Sequence, residues 1–380
     1  MQNELIVPPA IPFADETVGE LEDAAEMFGV PMRVVEREVK PVQQNPAGIY
    51  DRSYVPMGKA AVKLGTLYRT ADATALATSL EEVRGILRGI ITAVETEDKK
   101  TEGRYHKAVA MFTAWLEDPV GLTPPWNIFV KGNVKLPFWS FSTLPGATCP
   151  GAGECLKADN GKRGWCYSFS AWRNIYPYFR QLQNTILIRM PNKDHILRDM
   201  RKKLKPGQAV RLYVDGDMDS VETIDFWMQT VRQFPQNDFY GYSKSWVQFD
   251  KWHKDNNGDW PENYVLNLSS GTKLEQIGGQ MFASWVAKME SLRNPKTGLP
   301  LVRGRFVAVP TNAKAPDRKD PEFKAKVKIY NAEVGAAAMK QFGVTKVFVC
   351  PGYCADCLGE GKHACGNRKM QDKLIAIGVH

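Results

Sequence analysis

The chain has no uninterrupted apolar stretch of about 18 residues, the length a membrane helix needs. Residues Met1 to Phe13 have neither the basic start nor the apolar run of a signal peptide. The expectation is a soluble, cytoplasmic protein with no membrane partner. No repeat recurs along the 380 residues and no segment is dominated by one residue type, so the whole chain reads as globular. Cysteine is scarce and unevenly placed, with none in residues 1–130 and none between Cys166 and Cys350. Structural disulfides are rare in a reducing compartment, and the odd total of seven leaves one unpaired in any case. Metal binding is therefore the leading reading of the cysteines.

At 43% hydrophobic, the chain can bury a sizeable core, as one large domain with an extension or as two domains. Fifty Lys and Arg against 42 Asp and Glu give a net charge of +8. That excess favours anionic partners such as DNA, RNA or nucleotides, and it fits a merely basic soluble protein equally well. The densest basic run, Arg201, Lys202, Lys203 and Lys205, ends a predicted helix, where cations suit the macrodipole.

Residues 1–130 read as a mostly helical N-terminal extension. Ser79 with Glu82 forms a capping box, and Leu80, Val83, Ile86, Leu87, Ile90, Ile91 and Val94 then recur at helical spacing. A second helix is expected over Arg104 to Leu116, and the segment Asp118 to Asn127, rich in proline, reads as a linker. From residue 131 short β-type runs alternate with helical ones. The strand candidates are Leu136 to Ser142, Ala209 to Val214, Asp238 to Tyr242, Tyr264 to Leu268, Arg305 to Val309 and Lys346 to Cys350. Helices are expected around Lys193 to Leu204, Val221 to Gln233, Leu274 to Leu292 and Phe323 to Gln341.

Such alternation implies an α/β fold with a parallel sheet. Six strands are too few to close an eight-stranded barrel. The expected architecture is a partial or distorted (β/α) barrel over 131–345, followed by a Cys-rich metal-binding segment over 346–380. A flat doubly wound sheet is the alternative. In either, ligands gather at the C-terminal ends of the strands.

Cys149, Cys155 and Cys166 lie in a Gly-rich loop after the first predicted strand, and Cys350, Cys354, Cys357 and Cys365 follow the last one. Thiolates are soft ligands suited to zinc or iron–sulfur clusters. Four close a site. Three leave one corner open for a substrate or cofactor, which marks the first loop as the reactive one, with an iron–sulfur (4Fe-4S) cluster, and the C-terminal group as a closed iron–sulfur or zinc site. His363 could replace one thiolate there, and the two loops could share ligands.

The second predicted strand ends in Asp215, Gly216, Asp217, Asp219 and Ser220. Carboxylates there could hold a ligand amine or ribose hydroxyls, or act as base or nucleophile, whereas Asp219 and Ser220 look like helix caps. The third strand ends in Tyr242, Ser243, Lys244 and Ser245, and the fourth in Asn267, Ser269 and Ser270. Three successive polar strand ends suggest a polar ligand, with Lys244 set for a carboxylate or phosphate. Aromatic residues crowd the first loop: Trp139, Trp165, Tyr167, Phe169, Trp172, Tyr176, Tyr178 and Phe179, interleaved with Arg163, Arg173 and Arg180. Such interleaving can stack bases and neutralise phosphates, or simply pack a core.

The segments LPFWSFSTLPGATCPGAGEC, WCYSFSAWR, VRLYVDGDMDS and FYGYSKSW resemble the phage and plasmid family known as gene product 88, over roughly residues 131–365. That resemblance implies a mobile-element origin and a shared site, without naming a reaction. A more distant resemblance is to the radical S-adenosylmethionine enzymes, whose partial barrel carries three cysteines after its first strand and a glycine-acid motif after its second.

By that resemblance Cys149, Cys155 and Cys166 would hold the cluster. Gly216 and Asp217 would hold the cofactor's amino group, with Ser243, Ser245, Asn267 and Ser269 as further cofactor contacts. Lys244 and Ser245 are similar to a TKS sequence in relatives that repair DNA lesions. The spacing departs from the family's C-x3-C-x2-C, because five and then ten residues separate the cysteines here.

The reading that unites these features is an iron–sulfur enzyme of a mobile element acting on nucleic acid or a nucleotide, with Asp215, Asp217 and Lys244 as its catalytic candidates. One alternative is a zinc-containing barrel that exchanges or modifies a nucleobase, with Asp215 or Asp217 as nucleophile. Another is a non-enzymatic, metal-stabilised nucleic-acid-binding protein.

Overall fold

The computed structural model describes two short strands, β1 (Leu5–Val7) and β2 (Met32–Val34), and residues 49–379 except 71, 98, 133–135, 154, 157–165, 167, 169–174, 312, 314, 315, 318, 353, 355, 356, 359–362 and 372. Strands β1 and β2 pair in parallel as a sheet of their own.

The main sheet has eight strands: β3 (Val130–Lys131), β4 (Trp139–Phe141), β5 (Ala209–Leu212), β6 (Asp238–Ser243), β7 (Tyr264–Ser269), β8 (Val302–Pro310), β9 (Val347–Val349) and β10 (Leu374–Val379). Their order is β3-β4-β5-β6-β7-β8-β10-β9. Only β3, against β4, is antiparallel. The other pairings are parallel, with Phe141 opposite Leu212, Tyr242 opposite Asn267 and Ile375 opposite Phe306. The sheet is open, since β3 and β9 each have a single neighbour.

Parallel neighbours need crossovers, and helices supply them. These are α4 (Ile175–Arg189) and α5 (Asp194–Lys203) before β5, α6 (Val221–Arg232) before β6 and α7 (Trp246–Asp255) before β7. The short α8 (Leu274–Ile277) and α9 (Gly279–Ser291) precede β8, and α10 (Phe323–Phe342) precedes β9. Ser220 caps α6, its hydroxyl accepting the Thr223 N–H at 3.1 Å, as expected. The single helix expected over Leu274 to Leu292 is broken at Gly278, whose φ of +64° is left-handed and ends α8.

The two faces of the sheet bury different partners. Val210, Leu212, Phe239, Leu266 and Leu268 pack on helix residues such as Leu182, Trp227, Phe249 and Trp285. Val307, Val309 and Ala376 continue that face against Tyr330, Val334 and Ala338 of α10. On the opposite face Tyr240, Val265 and Ile375 pack on Ala364, Cys365 and Met370. The C-terminal cysteine segment is therefore an excursion between β9 and β10 that folds back over the sheet. Strand β10, which no sequence signal had marked, enters between β8 and β9.

The N-terminal helices α1 (Ile49–Leu67), α2 (Ala73–Glu97) and α3 (Lys99–Leu116) share one core with the sheet. Leu64, Val83, Leu87, Phe112 and Trp115 join Phe179, Leu182, Ile186 and Phe141 in it. Each such side chain contributes roughly 1.5–3 kcal/mol by burial. The capping box expected at Ser79 is not formed, because α2 begins at Ala73 and Ser79 lies buried inside it. The cap is Asp72, whose carboxylate accepts the Ala75 N–H at 2.8 Å. The segment expected as a linker is docked: the Gln183 amide accepts the Trp126 N–H at 3.0 Å and donates to the Trp126 carbonyl at 2.9 Å.

Candidate functional site

All seven cysteines are described, and none is in a disulfide. They form two groups. Cys149, Cys155 and Cys166 act on one another electrostatically, and so do Cys350, Cys354, Cys357 and Cys365. Among the described residues no three His, Cys, Asp or Glu are gathered as the ligands of a single ion would be.

The first loop is fastened to the C-terminal ends of β6 and β7. The Lys273 N–H donates to the Gly151 carbonyl (2.9 Å) and the Gly153 N–H to the Gly271 carbonyl (2.7 Å). The Cys166 N–H donates to the Cys155 carbonyl (3.0 Å). Gly151 lies so close to the Lys244 carbonyl that a side chain there would collide with backbone. The end of β5 is held in an uncommon conformation, with left-handed φ at Tyr213 (57°) and Gly216 (76°). A Cβ on Gly216 would strike Thr143 Oγ1.

This turn presents two buried carboxylates. Asp217 accepts the N–H of Met218 (2.7 Å) and of Lys244 (2.8 Å), and the Ser243 hydroxyl as well. Asp215 accepts the Gln181 amide at 2.9 Å, while its Oδ1 has no hydrogen-bond partner among the described residues. Burial raises both carboxyls above their ordinary values, against the opposing bonds from Ser243 and Ser168 respectively.

Lys244 closes the group. Its Nζ donates to Ser269 Oγ at 3.0 Å. Burial alone would lower its ammonium, but Cys155, Asp217, Cys166 and Cys149 outweigh that and raise it. Burial pushes the Cys155 thiol up to about 11, and Lys244 opposes the rise. Ser168, hydrogen-bonded to both Cys166 and Asp215, and Glu275, which acts on Cys155, belong to the same surroundings. Neither stood out in the sequence, where serine and glutamate are common loop residues.

The other expected contacts divide. Ser243 Oγ accepts the Ser245 N–H at 2.9 Å, and Ser245 Oγ is buried without a partner among the described residues. Asn267 stands on the opposite face. Its amide donates to the carbonyls of Gly241 (3.1 Å) and Cys365 (2.9 Å), which ties it to the C-terminal cysteines. Asp219 pairs with Arg189 and accepts the Thr223 hydroxyl at 2.8 Å, so it braces α6. Tyr178 and Phe179 are core residues and Tyr176 is exposed. Arg163, Trp165, Tyr167, Phe169, Trp172 and Arg173 lie outside the described residues.

The four C-terminal cysteines sit against Tyr240, Tyr242, Arg211 and Arg303. Tyr242 hydrogen-bonds to Cys365 and Arg211 to Cys354. The Ala364 N–H donates to Cys357 Sγ at 3.2 Å. His363 packs between Phe138 and Tyr240, its Nδ1 accepting the Gly366 N–H at 3.1 Å.

The donor types of the first loop, three thiols with the Lys244 ammonium near them, are those a cluster with one open corner would use. Buried Asp215 Oδ1 and Ser245 Oγ remain to accept or donate to a ligand.

Fold and site together define an open, mainly parallel α/β protein with one group of three cysteines and one of four. The family model described as gene product 88 matches residues 97–357, and the chain belongs to that family. No curated protein and no solved structure matches it. Among the described residues no helix is long and apolar enough to cross a membrane.

Proposed function

We propose that this chain is an iron–sulfur enzyme of a phage or plasmid, in which Cys149, Cys155 and Cys166 hold a 4Fe-4S cluster and the substrate is a nucleic acid or nucleotide. One observation carries the reading: three thiols from a single loop lie within electrostatic reach of Asp217 and Lys244 at the C-terminal strand ends. That is where parallel α/β folds bind ligands. The strand order, which follows the chain from β3 to β8, supports describing the sheet as an unclosed (β/α) barrel.

A cluster with three protein thiolates has one iron free for an outside ligand such as S-adenosylmethionine, and it supplies single electrons. The chain's own residues do the binding. Lys244, aimed by Ser269, offers a cation to a carboxylate or phosphate. Asp217 fixes the Lys244 backbone and balances its charge. Gly216 leaves room at the β5 turn, and the excess of positive charge favours an anionic substrate.

Anaerobic purification followed by a visible spectrum and iron, sulfide and zinc analysis tests the proposal. Iron with acid-labile sulfide and a broad visible band is the expected result. Zinc alone in a colourless protein overturns it and favours base exchange at Asp215, the reading that its unpartnered Oδ1 supports.

A further inference from the structure

Arg303 is wholly buried in β8, where its guanidinium makes four hydrogen bonds. It donates to Asn267 Oδ1 (2.5 Å) and to the carbonyls of Met370 (3.1 Å), Lys373 (2.9 Å) and Arg305 (2.9 Å). All four acceptors are neutral. Among the described residues no carboxylate is within ion-pair distance of it, and Glu290 acts only from further away. A buried charge without a counter-charge is costly, by several kcal/mol in general, so an arginine in this position calls for an anion nearby. The group that faces it is Cys365.

A second arginine approaches the same cysteines from the other side. Arg211 lies 4.4 Å from the Tyr242 ring centroid and hydrogen-bonds to Cys354. The remaining surroundings are apolar or aromatic: Tyr240, Val265, Ile375, Phe138, Phe306 and Phe348. A zinc ion with four thiolates and a cubane iron–sulfur cluster with four thiolates share one electrostatic property, an excess of two negative charges. One buried cation, Arg303, and one half-buried, Arg211, match it. Backbone N–H donation to a thiol sulfur, as from Ala364 to Cys357, is the contact such a centre also uses.

We infer that Cys350, Cys354, Cys357 and Cys365 hold a closed, dianionic metal–tetrathiolate centre, zinc or iron–sulfur, whose internal counter-cations are Arg303 and Arg211. Asn267 is the strut between them, taking the Arg303 Nε–H and giving its own N–H to the Cys365 carbonyl. The centre locks residues 350–370 onto the face of the sheet away from the helices. This inference stands independently of the reading of the first loop.

The test uses the full chain with Cys149, Cys155 and Cys166 all changed to Ser, so that only the C-terminal four can bind. Metal and sulfide analysis is expected to find one centre per chain. Zinc without sulfide identifies the single ion, and iron with equal sulfide the cluster. A protein that is folded by circular dichroism, holds no metal and shows four thiols freely reactive with a thiol reagent overturns the inference.

Arg303→Met and Arg211→Met in the same background are expected to release the metal to a chelator about tenfold faster, the size of effect a lost charge-assisted hydrogen bond produces. Arg211 is only half-buried, so its variant decides the matter if Arg303→Met fails to fold. Unchanged release from the folded variants overturns the counter-cation role.

Discussion

Asp217 accepts the backbone N–H of Lys244 through Oδ2 at 2.8 Å, across the gap between the ends of β5 and β6. The residue expected to bind a ligand is thus also a structural tie, and the two roles separate by substitution. Asp217→Ala leaves the Lys244 and Met218 N–H groups without their acceptor in a buried site. A cost of about 2–4 kcal/mol is expected by denaturant unfolding. Asp217→Asn keeps an acceptor and should cost less than half as much. Equal losses for the two variants would mean that charge, and not the tie, is what matters.

Gly216 and Gly207 have nearly the same backbone conformation, φ 76° and 78°, in opposite surroundings. Nothing lies near a Cβ on Gly207, whereas one on Gly216 meets both Thr143 Oγ1 and Thr148 Oγ1. Gly207→Ala should cost about 1 kcal/mol, the left-handed penalty alone. Gly216→Ala should cost at least about 2 kcal/mol more, from overpacking. Equal unfolding midpoints would show that the Thr143–Thr148 corner gives way freely.

What the sequence disclosed was local. Short apolar runs marked β5 to β8 within a few residues, because these strands are largely buried, β6 and β7 on both faces. The strand-end rule brought Asp217, Lys244 and Ser269 to the first cysteine loop. What it could not disclose depends on tertiary partners. Helix α4, for which no sequence signal was found, carries Gln181, Gln183 and Asn184, which are buried and bonded to Asp215, Trp126 and Ile128. Arg303 gave no signal either, since a buried guanidinium looks in sequence like any surface arginine. Strand β10 was hidden because it follows the cysteine excursion and pairs with a strand more than sixty residues earlier.

The misread helix start of α2 yields its own test. Among the described residues Ser79 Oγ, buried inside the helix, has no partner, and Asp72 makes the cap. Asp72→Ala should therefore cost about 1 kcal/mol. Ser79→Ala should be neutral or slightly stabilising, because it removes an unsatisfied hydroxyl. Thermal unfolding of the pair in the reverse order, with Ser79→Ala the more damaging, would restore the capping box.

His253 gives a pH dependence whose sign is fixed by a neighbour. The Trp260 indole N–H donates to His253 Nδ1 at 2.6 Å, so that nitrogen holds no proton in the folded chain. Burial lowers the His253 value, against a smaller opposing pull from Asp250, whose carboxylate is itself tied to Lys254 and Lys288. The unfolded chain, with an ordinary histidine near about 6.5, then takes up its proton first as pH falls. Stability from this group is complete above that pH and is lost as pH falls from there through the lower folded value. His253→Gln can still accept the indole N–H but cannot titrate. The difference in denaturation midpoint between the native chain and this variant should be constant from pH 8 to about 7 and move against the native chain below about 6.5. A difference that stays constant down to about pH 5 would mean that His253 is protonated alike in both states and that the indole bond is not made.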